Sequence, residues 1–444
     1  MAVASFIPLS QLVATGRPAD YPVGYVGQKI VNWQEFRSKI ARYAAQFSQK
    51  SAERWLLTSQ EPLDFSAQLM GLLHANKQAV IPPNIQPGTL KNLHAEFDAE
   101  VDFAPGSEEL VLASLDPDAC SIVLYTSGST GQPKAIKKSL RQFEAEMAAL
   151  ESQFGAKVNG CGFFGTAPHH HLYGLTFRIF WPLSSGRPTD NETCTHPDMM
   201  LERMAVIGEG VMVSSPAQLS RWPDLMTLGE MPLKPRMILS AGGPLAGRTA
   251  STISEELGEA PTEIYGSSET GVIAWRNQDK SELWTPLVGV RVESDVNQAL
   301  IVHSPLVGGN QTFRTEDAVE LMSDGTFHLK GRLDRTVKIE EKRLFLPDME
   351  VQLLKHPGVE NATLVLLDGA RQTLGAVALL SQVGKAQLFS AGRRDFVRSL
   401  KKHLLQHFDP VLIPRRWRFP EQLPFNERGK LASHALAELF EHDN

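Results

Sequence analysis

Apolar residues recur along this 444-residue chain in two rhythms. Between residues 32 and 104, helical spacing (WQEFRSKIARYAAQF) alternates with short apolar runs (WLLTS, AVIPP), a pattern that predicts α/β layering. A compact β-branched run at 120–126 (CSIVLYT) predicts a buried strand that stops at a cluster of Ser, Gly and Thr. A helix is expected directly after the cluster. Leu140, Phe143, Met147, Leu150 and Phe154 fall on one helical face, Ser139 and Gln142 can form a capping box, and Gly155 suits the stop. Strand, glycine-rich turn and helix in that order build anion sites. Further strands are expected at 211–214, 237–241 and 262–265, each ending in small or polar residues, where ligands gather in open α/β sheets. After Gly331 the pattern changes to a short helix opened by Pro347, strands VENATLVLL and LGAVALLS, and a long amphipathic helix at about 387–407. The expected fold class is therefore α/β: a large multi-sheet N-terminal domain with layered α/β subdomains, plus a small α+β C-terminal domain.

Composition narrows the function. Forty-four Lys plus Arg against fifty Asp plus Glu leave a formal charge of −6, and 42% hydrophobic with 21% charged residues is ordinary for globular proteins. Disordered, collagen-like and disulfide-scaffold classes are excluded, and no concentrated basic patch points to nucleic acid. The isolated Cys120, Cys161 and Cys194 fit neither a disulfide framework nor a cysteine zinc site. With no basic start leading into an apolar run, and no membrane-length apolar stretch, a soluble cytoplasmic protein is expected.

The densest chemistry lies at 125–134, YTSGSTGQPK, where hydroxyls at Tyr125, Thr126, Ser127, Ser129 and Thr130 flank Gly128 and Gly131 ahead of Lys134. Glycines let backbone amides converge on an anion, hydroxyls add rotatable donors and the lysine adds a point charge. The string is not a Walker-type loop, because Gln132 and Pro133 separate Gly131 from Lys134. A flexible surface turn is the alternative reading on composition alone.

At full length this string resembles the phosphate-binding signature of the adenylate-forming superfamily, which comprises acyl- and aryl-CoA synthetases, peptide-synthetase adenylation domains and luciferases. Other motifs follow in the family's order. PHHHLYG at 168–174 resembles the gate beside the acid pocket, with His171 in register. SAGGPL at 240–245 resembles the segment lying against adenine, through Ala241, Gly242 and Gly243. YGSSETG at 265–271 matches the central motif, implying Tyr265, Gly266, Ser267 and Ser268 at the nucleotide and Glu269 as Mg²⁺ ligand. In TEDAV at 315–319, Asp317 holds the place of the ribose acceptor, with Glu316 where the family carries glycine. GRLD at 331–334 implies Arg332 as a ribose or phosphate contact and Asp334 as the hinge, hence domains at 1–333 and 334–444, the second mobile. Beyond it, Lys338 and Arg343 are in register with the small domain's first motif, while Glu341 replaces its glycine. LPFNERGKL at 423–431 places Lys430 as the adenylation lysine.

The resemblance implies ATP-dependent activation of a carboxylic acid to an acyl-adenylate, with release of pyrophosphate and transfer to a thiol of coenzyme A or of a carrier protein's phosphopantetheine. Lys430, Glu269 and Lys134 are the implied catalytic residues, with ATP and Mg²⁺ as cofactors. Position beside the motifs puts His171, Tyr173, Val213, Ser214 and Ser215 at the acid pocket, joined by Ala241, Gly242 and Ser267. None of these is charged, which favours an aryl or acyl acid over an amino acid. Three other readings stay open: an amino-acid adenylating enzyme, a catalytically impaired nucleotide binder of the same fold, and an unrelated phosphotransferase using only the hydroxyl loop.

Overall fold

The computed structural model describes residues 5–127, 133–225, 227–308, 311–339, 342–367, 373–424 and 433–440. The chain divides into two compact units, Met1–Val292 with Val302–Phe313, and Glu293–Ile301 with Arg314–Asn444.

The first unit is layered around two sheets. A nine-stranded sheet has at its centre four parallel neighbours, Phe163–Gly165, Val211–Ser214, Met237–Ser240 and Thr262–Ser267. The second and third of these are buried at every position, as strands covered on both faces require. Gly271–Asn277 then returns antiparallel to Thr262–Ser267. A five-stranded sheet runs in the order Ala99–Glu100, Arg54–Leu56, Gln78–Ile81, Ser121–Ser127, Pro133–Ser139. Helices Trp33–Ser48, Pro62–His74 and Leu140–Phe154 bury Phe36, Phe47, Phe65, Phe143 and Met147 in a core shared with Phe163, Phe177 and Trp181.

One element departs from expectation. The hydroxyl cluster leads into a strand, Pro133–Ser139, antiparallel to Ser121–Ser127, and only then into the helix. The alternation in this strand was obscured by a lysine, Lys138, at a position only 3% exposed. The helix is Leu140–Phe154 with the expected Ser139–Gln142 capping box and Gly155 at its end. A strand thus separates the cluster from the helix, so among the described residues Lys134 on that strand, not the helix terminus, brings positive charge beside the cluster.

In the second unit, Val359–Leu367 and Thr373–Leu380 pair antiparallel and Arg416–Arg418 joins in parallel. Helix Leu346–Leu354 carries Pro347 in its first turn. The last long helix starts earlier than expected, at Gln382, because Ser381 caps it through Gly384 N–H, and two helical pieces meet at a non-helical Gly392. Among the described residues, no helix is long and apolar enough to cross a membrane.

Candidate active site

In the first unit several motifs lie at the carboxyl ends of the central parallel strands of the nine-stranded sheet. Register pairs Gly165 with Val213, Ser214 with Ser240, and Ser240 with Glu263, so the carboxyl ends of four adjacent strands deliver Ser214, Ser215, Ala241, Gly242, Gly243 and Tyr265 side by side. Ser214 is buried and bonded to Thr166, Oγ to Oγ at 2.9 Å. Gly242 and Gly243 are exposed, with Gly242 at φ +96°. Tyr265 is half-buried, its ring 5.4 Å from that of Trp284, and it keeps partial exposure for a planar partner.

The tip between Thr262–Ser267 and Gly271–Asn277 carries Glu269. Inside this turn, Ser267 N–H donates to Thr270 Oγ1 (3.1 Å) and Thr270 N–H to Ser267 Oγ (3.2 Å), with Thr270 wholly buried. Lys134, opposite Thr126 in the hairpin register, reaches Glu269 Oε1 at 2.6 Å. Partial burial is the largest single influence and raises the Glu269 carboxyl, but the hydrogen bond and charge of Lys134, together with backbone and Ser267 hydrogen bonds, outweigh it and hold the group below the usual carboxylate range. The structure thus brings together Lys134 and Glu269, two residues 135 positions apart. Backbone places Thr126 and Ser127 at the end of their strand, while Gly128, Ser129, Thr130 and Gly131 lie outside the described residues.

Glu269 also suits a Mg²⁺ ion. It offers a half-buried, ionised oxygen ligand, and among the described residues no group of three or more His, Cys, Asp or Glu is placed to hold a metal. A single carboxylate matches a small, strongly hydrated dication that takes its other ligands from phosphates and water.

The gate segment turns sharply. Gly174 fits because a Cβ there would sit 2.0 Å from the Pro168 carbonyl oxygen. His171 donates through Nε2 to the Pro83 carbonyl (3.0 Å), and burial pushes the Tyr173 phenol well above its ordinary value. His169, 2% exposed, packs edge-on against Phe65 and donates through Nε2 to the Ser59 carbonyl at 2.9 Å. Burial, helped by the charge of Arg178, pulls its pKa down to about 4. An unfolded chain takes this proton near pH 6.5, whereas the folded one refuses it until about pH 4. Stability is then complete above about pH 6.5 and falls by about 3 kcal/mol as pH drops to 4. Urea unfolding at stepped pH checks this: His169→Gln should flatten the acid side of the profile by about one proton, and an unchanged slope would rule His169 out.

In the second unit, Arg332 Nη1 lies 3.9 Å from Asp317 Oδ1, on paired strands in direct register. Glu316, exposed and bonded to Arg314 at 3.2 Å, has no positive φ, so the position accepts a side chain where the family carries glycine. Lys338 and Arg343 are opposite each other in a hairpin register. Asp334 lies in the single turn Leu333–Arg335, its side chain outside what is described, as are Glu341 and Lys430.

Three charged residues escaped the sequence reading. Glu263, 1% exposed, accepts Leu245 N–H (3.1 Å) and Arg276 Nε (2.7 Å), pinning the Gly242–Gly243 segment to the sheet. Lys138 donates to the carbonyls of Glu269 (3.3 Å) and Leu306 (3.2 Å). Glu146, 3% exposed, accepts Val272 N–H (2.6 Å) and Thr176 Oγ1–H (3.0 Å). A signal for Glu146 was available: it sits beside Met147 on the helix face read as apolar.

The chain is 27% identical to the anthranilate–CoA ligase of Pseudomonas aeruginosa, covering 74% of this chain and 69% of that one. It is 26% identical to the 4-coumarate–CoA ligase of Rhodobacter capsulatus (70% and 75%) and 22% to the D-alanine–D-alanyl carrier protein ligase of Staphylococcus aureus (80% and 79%). In fold it is similar to the o-succinylbenzoate CoA synthetase of Bacillus subtilis, solved with its acyl-adenylate, at a TM-score of 0.78 and 17% identity over 97% of this chain and 98% of that one. The sequence model described as AMP-binding enzyme matches residues 44–302, and with that match the chain belongs to the AMP-binding enzyme family.

Proposed function

We propose that this enzyme is an ATP-dependent acid–thiol ligase that activates an aryl or acyl carboxylic acid as its adenylate and passes the acyl group to coenzyme A or a carrier-protein phosphopantetheine. The observation that carries the reading is the meeting of Lys134 with Glu269, which joins the hydroxyl hairpin to the strand-end turn holding Tyr265. A carboxylate is a poor electrophile, so its oxygen first attacks the α-phosphorus of ATP. One O–P bond forms, the bond to pyrophosphate breaks, and no proton needs to move. Two anions must approach, so the protein's work is positioning and charge neutralisation. On the family resemblance, Lys134 would neutralise the phosphates and Tyr265 with Ala241–Gly243 would take adenine, while the motifs assign Ser127–Gly131 to the phosphates, Asp317 and Arg332 to the ribose and Lys430 to the reacting centre. Mg²⁺ on Glu269 would draw charge from the leaving pyrophosphate. A pivot at Asp334 would then present another face of the small domain, and the thiol, giving its proton to solvent, attacks the acyl carbon so that C–S forms as the C–O bond to AMP breaks.

The acid wall, His171, Tyr173, Val213, Ser214 and Ser215, carries no carboxylate to pair with an amino acid's ammonium group. The aryl acids in the names of the anthranilate and 4-coumarate relatives support the same preference. The test is isotope exchange between pyrophosphate and ATP across aryl, fatty and amino acids. Exchange is expected with aryl or medium acyl acids and at background with amino acids. Bound ATP without exchange for any acid would instead make the chain a nucleotide binder. AMP release on adding coenzyme A or a carrier identifies the acceptor.

A further inference from the structure

We propose that Lys138 and Glu146 are positioning residues that grip the Glu269 turn from both sides, an inference that rests on Glu269 holding the metal–triphosphate as read above. Neither residue belongs to the motifs, and neither reaches a place where substrate is expected. Both are buried, and their opposite charges act on each other, so neither is an accidental surface charge. What they hold is the main chain on each side of Glu269. Lys138 comes from the strand that also carries Lys134 and donates to the Glu269 carbonyl itself. Glu146 comes from the following helix and accepts the amide of Val272, three residues further on. Between them Gly271 is at φ +70°, and a Cβ there would lie 2.6 Å from Glu146 Oε1, so the turn is pressed directly against that carboxylate.

A second link ties the grip to the nucleotide hairpin. Lys134 and Lys138 project from one strand: the first meets the Glu269 carboxylate, the second the carbonyl of the same residue. Any displacement of the hairpin is therefore transmitted to the turn through two bonds to one residue. Because Lys138 Nζ also donates to the Leu306 carbonyl, its position is fixed independently of Glu269. The arrangement presets the carboxylate before any metal arrives, which is the preorganisation that electrostatic catalysis requires.

The test uses the full chain with Lys138→Met, Glu146→Gln and the double variant. In Lys138→Met, amide hydrogen exchange across 269–272 should speed up about tenfold or more, the scale of one lost charged hydrogen bond. The Mg²⁺ concentration for half-maximal pyrophosphate exchange should rise by about the same factor, with KM for the acid unchanged. Removing both charges avoids an unpaired buried ion, so the double variant should melt near wild type yet keep the raised Mg²⁺ requirement. If the double variant recovers both stability and the wild-type Mg²⁺ requirement, the pair serves the core alone and the proposal falls. It falls equally if a folded Lys138→Met shows wild-type protection at 269–272. A wild-type protein with no acid-dependent exchange would overturn the ligase reading instead, and the hydrogen-exchange comparison would still decide the grip.

Discussion

Glu269→Gln is expected to lower pyrophosphate–ATP exchange by about 10²- to 10³-fold, the usual consequence of removing one preorganised electrostatic group from a reacting centre. The amide keeps the size of the side chain and can still accept from Lys134, so the change removes charge and little else. Lys134 is 60% exposed in this pair, which makes the ion pair worth under about 1 kcal/mol to folding. The melting temperature should therefore stay within a few degrees while activity collapses. Raising Mg²⁺ should recover part of the rate, because the defect lies in holding the ion. A variant that exchanges at the wild-type rate at low Mg²⁺ would remove Glu269 from the mechanism.

Lys430→Ala should also cost about 10²- to 10³-fold in exchange, and for a different reason: in the proposed mechanism this lysine neutralises charge between the acid oxygen and the α-phosphate. ATP affinity, measured by calorimetry, should be nearly unchanged, since the proposed nucleotide contacts at the hydroxyl cluster, Tyr265 and Glu269 are left in place. Supplying preformed acyl-adenylate and thiol should restore thioester formation, because that step does not use this lysine. Equal loss of both half-reactions would indicate damage to the whole enzyme, and unaltered exchange would show that Lys430 takes no part.

The order of the motifs, the apolar faces and the turn residues were all legible in one dimension. Strands 211–214 and 262–265 and the capping box at Ser139 stand where local pattern puts them, since hydrophobic period and side-chain capping act over a few residues. Family membership was legible for a similar reason: backbone loops that cradle phosphates demand particular small and hydroxylated residues in sequence. Local pattern was not enough at 133–139, where Lys138 sits at an inward position and the strand was read as part of a turn. Its burial makes sense only once Glu146 and two carbonyls from distant segments have closed around it.

Single-residue chemistry and element order thus belong to the sequence, whereas the partnership of charges belongs to the fold. Lys134 with Glu269, Lys138 with the Glu269 carbonyl, and Glu263 with Leu245 and Arg276 join residues from separate strands and turns. No periodicity encodes such pairs. Each exists because the fold brings unlike groups within hydrogen-bond reach, and for the buried Lys138 and Glu263 the penalty for an unpaired charge selects the partner.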